Sequence, residues 1–187
     1  MLKEPRAGRV KTRLGQGFGM IGAAWWYRHH TSALLRRLDD PRWQLILAVS
    51  PDNTGPICRA WPGHLARLAQ GPGDLGARMA RIARILPKGP VLIIGADIPA
   101  ISRVHIAAGF RALGNHDAVF GPATDGGFWA FGLKRLAPVP PRLFQGVRWS
   151  GPHALADSRA TLAGARVALL ATLQDVDTAA DLAKVTR

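Results

Sequence analysis

The sequence of 187 residues predicts an α/β fold, a three-layer α/β/α sandwich around a mostly parallel sheet. Three observations lead there. Short apolar runs of strand length alternate with longer segments of helical periodicity. One run, Pro90–Gly95, is almost uniformly hydrophobic, as a parallel strand covered on both faces is. Hydrophobic residues make up 48% of the chain against 20% charged, enough for a full core and against intrinsic disorder.

The elements follow in order. Trp43–Val49 reads as the first buried strand, stopped by Ser50-Pro51-Asp52-Asn53. Pro90–Gly95 is the second; Ala118–Phe120, Gly127–Leu133 and Arg166–Ala171 follow. Helical patterns lie between them at Gly22–Leu38, Asp74–Leu86, Ser102–Leu113, Pro152–Ala163 and Thr178–Val185. Ser102 stands where an N-cap is expected, and Thr178 with Asp181 has capping-box spacing, Asp replacing the usual Glu. No repeat or low-complexity segment interrupts the pattern, so residues 1–187 are read as a single domain. Phosphate-binding loops in such folds follow a buried strand. Here only Met1 and Leu2 precede the first polar segment; no strand is expected there, and the first strand is read as truncated.

Charge and composition narrow the partners. There are 25 Lys and Arg against 12 Asp and Glu, a formal charge of +13 that favours anionic partners. The single Cys58 excludes an intramolecular disulfide framework and a multi-cysteine zinc site, and the six histidines show no ligand spacing. No apolar run approaches the roughly 20 residues that cross a bilayer, and Met1–Pro5 lacks the apolar stretch of a signal peptide. The expectation is a cytoplasmic protein with no membrane partner. The arginines are spread along the chain and the tryptophans follow no RNA-binding pattern, which disfavours nucleic acid.

Several segments carry the chemistry. Gly8-Arg9-Val10-Lys11-Thr12-Arg13 sets a glycine and three cations in a loop that opens toward a helix; Lys11 and Arg13 suit a di- or triphosphate, and a solvated basic turn is the competing reading. Gly17-Phe18-Gly19-Met20-Ile21-Gly22 matches G-x-G-x-x-G by letter, but no strand precedes it, so it is read as a flexible lead into the first helix. Gly73-Asp74-Leu75-Gly76-Ala77-Arg78 starts a helix; Asp74 is its natural N-cap, and Arg78 can face a ligand one turn on. Asp97 directly follows a buried strand, where α/β folds bind ligands and a carboxylate commonly holds a divalent cation against phosphate oxygens. Asp125-Gly126-Gly127 follows another strand and is also an ordinary turn. Asp175 can join Asp97 at a metal, whereas Asp177 is expected to help close the last helix. His29 and His30 are placed on the polar side of the first helix.

Taken in order, Glu4-Pro5-x-x-Gly8-x-Val10-Lys11-Thr12-Arg13-Leu14, Gly73-Asp74-Leu75-Gly76-x-Arg78, Gly95-x-Asp97-x-Pro99, Gly121-Pro122-x-x-Asp125-Gly126-Gly127, Trp149-Ser150 and Asp175-Val176-Asp177-Thr178-x-x-Asp181-Leu182 form a pattern. It resembles bacterial GT-A-fold nucleotide-diphospho-sugar transferase-like proteins, the arsenosugar-biosynthesis-type glycosyltransferases, and more distantly phospholactate and molybdenum-cofactor guanylyltransferases. The resemblance spans essentially the whole chain. This chain departs from it in lacking the first hydrophobic strand, in having Phe128 where Tyr is usual, and in following Trp149-Ser150 with Gly151-Pro152 instead of Thr-Pro.

The resemblance implies that Gly8, Lys11 and Arg13 cradle a diphosphate, that Asp74, Gly76 and Arg78 help seat the nucleotide, and that Asp97, with Asp175, holds Mg2+ or Mn2+. Asp125 would face the acceptor, with Lys11, Asp97 and Asp125 as the catalytic set. The implied activity is metal-dependent glycosyl transfer from a nucleotide sugar to a small-molecule acceptor. Nucleotidyl transfer from a nucleoside triphosphate to a phosphorylated metabolite uses the same parts, and a non-catalytic nucleotide-binding module is the third reading.

Overall fold

A computed structural model describes residues 1–185, with side chains through Ala183. Along the chain run β1 (Leu2–Lys3), α1 (Thr12–Phe18), α2 (Met20–Leu38), β2 (Ile46–Ser50), a 3-10 turn (Gly55–Ile57) and β3 (Ala66–Ala69). Then come α3 (Leu75–Ile85), β4 (Val91–Ile94), α4 (Arg103–Asn115), β5 (Ala118–Pro122) and β6 (Phe128–Leu133). The chain continues through α5 (Ala154–Ala160), β7 (Val167–Leu169) and α6 (Ala179–Val185). The residues group into two compact units. One holds Met1–Ala69, Gly95–Arg103 and the chain from Asp175 onward; the other holds Gln70–Ile94 and Val104–Gln174.

The first unit carries a fully parallel sheet in the order β1-β2-β3. Its central strand buries Leu47, Ala48 and Val49, as a parallel strand with both faces covered requires. The sequence leads one to expect no strand at the start, yet Leu2 and Lys3 pair with Val49 and Ser50. Two residues suffice because each is held separately. Leu2 is buried, Lys3 N donates to the Tyr27 hydroxyl at 3.1 Å, and Glu4 N donates to Ser50 O at 2.7 Å. The four residues of β3 are equally unexpected, since an arginine stands among them. Arg67 turns its guanidinium onto the carbonyls of Pro56, Cys58, Trp61 and Pro62, so its donors are used inside the fold. The segment read as a flexible lead is also ordered: residues 12–18 form α1, and Gly19, at φ 81°, breaks it from α2.

The second unit carries a four-stranded sheet in the order β4-β6-β5-β7. Strand β6 runs antiparallel to both β4 and β5, while β5 and β7 are parallel. The expected mostly parallel sheet therefore has an inserted hairpin here. The five residues between β5 and β6 are too few for a crossover, so the chain can only fold back. Asp74 caps α3 by accepting from Ala77 N at 2.8 Å, and α3 buries Met79, Ala80, Ile82 and Ala83 on one face. The core centres on Val119, Phe120, Trp129 and Phe131, each at most 1% exposed. Trp129 donates its indole N–H to Ala171 O at 2.9 Å.

Gly121 owes its identity to that tryptophan. A Cβ there would lie 2.2 Å from the Trp129 ring, with no flexible side-chain end to yield. Gly121→Ala is expected to lower stability by about 1–3 kcal/mol, as overpacking of a filled core does. Urea denaturation followed by near-UV circular dichroism of the tryptophans checks this; an unchanged midpoint contradicts the packing described.

Candidate functional site

Within the first unit, three segments distant in sequence meet at the carboxyl end of the parallel strands. The loop after β1 is fixed at its far end by Val10, buried in a cluster with Ala24 and Tyr27 and flanked by Trp26. Next to it, Lys11 adopts left-handed backbone geometry, φ 47° and ψ 47°, as the N-cap of α1. A non-glycine residue there costs roughly 1–2 kcal/mol. The conformation sends its side chain inward, where only 8% remains exposed. Its Nζ donates to Asp97 Oδ2 at 3.1 Å and to Asp177 Oδ1 at 2.6 Å. Arg13, 69% exposed, donates to Asp177 Oδ2 at 2.5 Å. Two cations thus face two carboxylates, and the group is locally neutral.

The backbone holds the acids in place. Val176, fully buried, donates its N–H to Asp97 O at 3.1 Å, locking residues 175–177 beside the Asp97 loop. Asp177 corrects the sequence reading. The cap of α6 is made without its side chain: Asp181 Oδ2 accepts from Thr178 N at 2.9 Å and from the Thr178 hydroxyl at 2.7 Å, the capping box expected from spacing. The Asp177 carboxylate goes to Lys11 and Arg13 instead. The alternation Asp175-Val176-Asp177 around a buried valine is the signal that marks it, since alternate residues of an extended chain share a face. His30 is a second correction. It is half-buried, not on the polar side of α2, and its ring stacks on Trp26 at 4.9 Å; burial, then Arg37, holds its pKa below the usual histidine range.

The other expected residues lie elsewhere or do structural work. Gly8, at φ 73°, makes the turn of the loop. In the second unit, Asp74 caps α3, and a Cβ on Gly76 would lie 2.6 Å from Phe144 and 2.7 Å from Trp149, so this glycine admits aromatic packing. Arg78 donates to Gly73 O at 2.9 Å. Asp125 Oδ1 accepts from Gly127 N at 2.9 Å within the β5–β6 turn. Gly126 packs against Pro152, and its carbonyl accepts from Leu155 N at 3.1 Å, which joins the Asp125 turn to the segment after Trp149-Ser150. Phe128, standing where tyrosine is usual, packs with Phe120, Phe144 and Trp149.

Among the described residues, no cluster of three or more His, Cys, Asp or Glu is arranged to hold a metal ion. The Asp97 side chain nonetheless keeps 41% of its surface exposed, and no described side chain other than Lys11 bonds it. One accessible carboxylate fits Mg2+ or Mn2+ where substrate oxygens and water complete the shell. Asp175 stands beside Val176 and is half-buried.

Titration of the pair follows from its surroundings. Burial opposes the charge of Lys11, but Asp97 and Asp177 outweigh it and hold the ammonium above the usual lysine range. Burial likewise opposes the charge of Asp97, and Lys11 outweighs it, leaving the carboxyl below the usual aspartate range. The Asp97 contribution to stability is therefore present above pH ~4 and lost as pH falls through the lowered folded value. The Lys11 contribution is present below pH ~10 and lost as pH rises through the raised one. Asp97→Asn is expected to flatten the acid limb of the stability curve. Urea midpoints between pH 3 and pH 7 (a range set by ordinary carboxylate titration, roughly pH 4) check this; an unchanged acid limb rules out a contribution from the pair.

This geometry can be set beside known proteins. A structure provisionally classed as a nucleotide-diphospho-sugar transferase, from Desulfovibrio desulfuricans G20, superposes with TM-score 0.84 at 28% identity, covering 100% of this chain and 84% of that one. The 4-diphosphocytidyl-2C-methyl-D-erythritol synthase of Anaerococcus prevotii DSM 20548 superposes with TM-score 0.61 at 12% identity, covering 86% of each chain. A homologue of Rv0371c from Mycobacterium sp. strain JC1 gives TM-score 0.53 at 14% identity, covering 85% of this chain and 80% of that one. No match was found among curated proteins. The fold is therefore the α/β fold of nucleotide-diphospho-sugar transferases, as the sequence leads one to expect. The family model described as "Uncharacterized protein conserved in bacteria (DUF2064)" matches residues 33–151, well over half of the chain, and the chain belongs to that family.

Proposed function

We propose that this protein is a transferase acting on a nucleotide-activated substrate, moving a sugar from a nucleotide-sugar donor to a small-molecule acceptor. The observation that carries the reading is the Lys11–Asp97–Asp177–Arg13 group at the carboxyl end of a parallel sheet. The likeness to the Desulfovibrio structure supports it. In the reaction, the bond between the anomeric carbon and the diphosphate oxygen breaks, its electron pair going to that oxygen. An acceptor hydroxyl forms the new bond to the anomeric carbon and gives up its proton to water. Negative charge collects on the departing diphosphate. Lys11 and Arg13 stabilise it, Lys11 most effectively because it is held in a desolvated, fixed position. Asp97 would hold Mg2+ or Mn2+, whose chemistry is charge neutralisation at phosphate oxygens. Asp125 is the candidate acceptor-side carboxylate, while Gly8, Asp74, Gly76 and Arg78 shape the backbone of the nucleotide-binding segments. The paired cations Lys11 and Arg13 equally suit a triphosphate, and this favours nucleotidyl transfer, with release of pyrophosphate, as the second reading.

Thermal-shift and calorimetric titration against nucleotide sugars and nucleoside triphosphates, with and without Mn2+, test the proposal. Lys11→Ala is expected to weaken nucleoside diphosphate binding by about 1.5–3 kcal/mol, the range for hydrogen bonds to charged groups. Arg13→Ala should cost less, because this side chain is exposed. Asp97→Asn should abolish the Mn2+ dependence of binding. Release of nucleoside diphosphate indicates glycosyl transfer and release of pyrophosphate nucleotidyl transfer; saturable nucleotide binding with neither product indicates the non-catalytic module. Equal losses for nucleoside and diphosphate in Lys11→Ala would overturn the phosphate role of the loop.

A further inference from the structure

The corner between α1 and α2 exposes apolar side chains that the fold does not use. Phe18 is 47% exposed, Met20 39%, Ile21 80% and Trp25 61%. Ile21 and Trp25, the most exposed of them, share one face of α2. A Cβ on Gly22 would lie 3.1 Å from the Phe18 ring, so that ring lies against α2 at Gly22, one turn before Trp25. Ile21 and Trp25 are one helical turn apart, and the Trp25 ring meets His29 at 4.0 Å. Farther along the same side of α2, Arg28 and Arg36 are exposed, and neither has an ion-pair partner among the described residues. Residues 5–38 contain seven Lys and Arg and no Asp or Glu.

We propose that this corner docks the protein on an anionic lipid bilayer, as a peripheral contact. No described helix is long and apolar enough to cross a membrane, and none is needed. A tryptophan and neighbouring aliphatic side chains seat at the headgroup boundary, while cations beside them meet acidic headgroups. Charge selects this occupant over a second copy of the chain. Self-association through α2 would lay an acid-free, cationic helix against an identical one, with no carboxylate on either to pair with Arg28 or Arg36. The sequence gives no warning of this surface, because its apolar residues come from two helices and never form a long run. The proposal is independent of the transfer chemistry and leaves Lys11 and Arg13 to their carboxylates.

The test is co-sedimentation of the full chain with vesicles of pure phosphatidylcholine or of phosphatidylcholine with about one-third phosphatidylglycerol, at about 100 mM salt. Binding is expected only with the anionic vesicles. Ile21→Ser/Trp25→Ser should weaken it at least about tenfold, the effect of withholding two large apolar side chains from the interface. Arg28→Gln/Arg36→Gln should weaken it about fivefold per cation, with its melting curve confirming an intact fold. Two results overturn the proposal: no binding to anionic vesicles, or binding that neither double variant reduces. A third does the same: sedimentation equilibrium showing a dimer that Ile21→Ser/Trp25→Ser dissociates, which makes a second copy the occupant.

Discussion

The buried ammonium of Lys11 is the constraint on which the first unit depends. Its two hydrogen bonds join residue 11 to Asp97 and Asp177, which lie 86 and 166 positions away in the chain. The unfavourable terms are a left-handed backbone at a non-glycine residue and the desolvation of a charge. Both are offset only if the carboxylates sit where they do. That in turn requires β1 to pair with β2, Val10 to be buried, and Val176 to anchor the last segment on Asp97 O. Removing one partner leaves a charge in a site built for its neutralisation, so these contacts stand or fall together.

The same arrangement gives the proposed chemistry its physical basis. A lysine free in solvent is a weak, mobile countercharge; one fixed by packing presents its charge without reorganisation. With cations and carboxylates balanced, the group meets an incoming phosphate as a neutral assembly. Neutralising Asp97 therefore matters as much as the presence of Lys11. The accessible face of Asp97 is where the proposed metal and the proposed phosphate would meet.

Much of this was legible in the residues, for local reasons. Apolar runs announced β2, β4, β5 and β6, and the caps at Asp74 and at Thr178 with Asp181 announced two helix starts. What failed depended on distant partners. β3 exists because Arg67 finds four carbonyls, β1 because its few residues find β2 and Tyr27, and β6 reverses because its connection is short. The role of Asp177 is not local, because it needs Lys11, and the packing need of Gly76 comes from Phe144 and Trp149, distant in sequence. Part of the positive charge also braces the fold. Arg37, Arg67, Arg81, Arg84 and Arg135 donate to backbone carbonyls, so many cations counted toward anionic partners bind the chain itself.

A double-mutant cycle between Lys11→Met and Asp177→Asn, read by urea denaturation at neutral pH, tests the central claim most directly. Neither substitution changes side-chain size greatly, so the cycle isolates the charge interaction across the closed segments. Two residues in buried contact should show a coupling of about 1–3 kcal/mol, the double variant losing less stability than the sum of the singles. Losses that add within about 0.5 kcal/mol would mean that Lys11 and Asp177 do not depend on each other, and would contradict the account of the site.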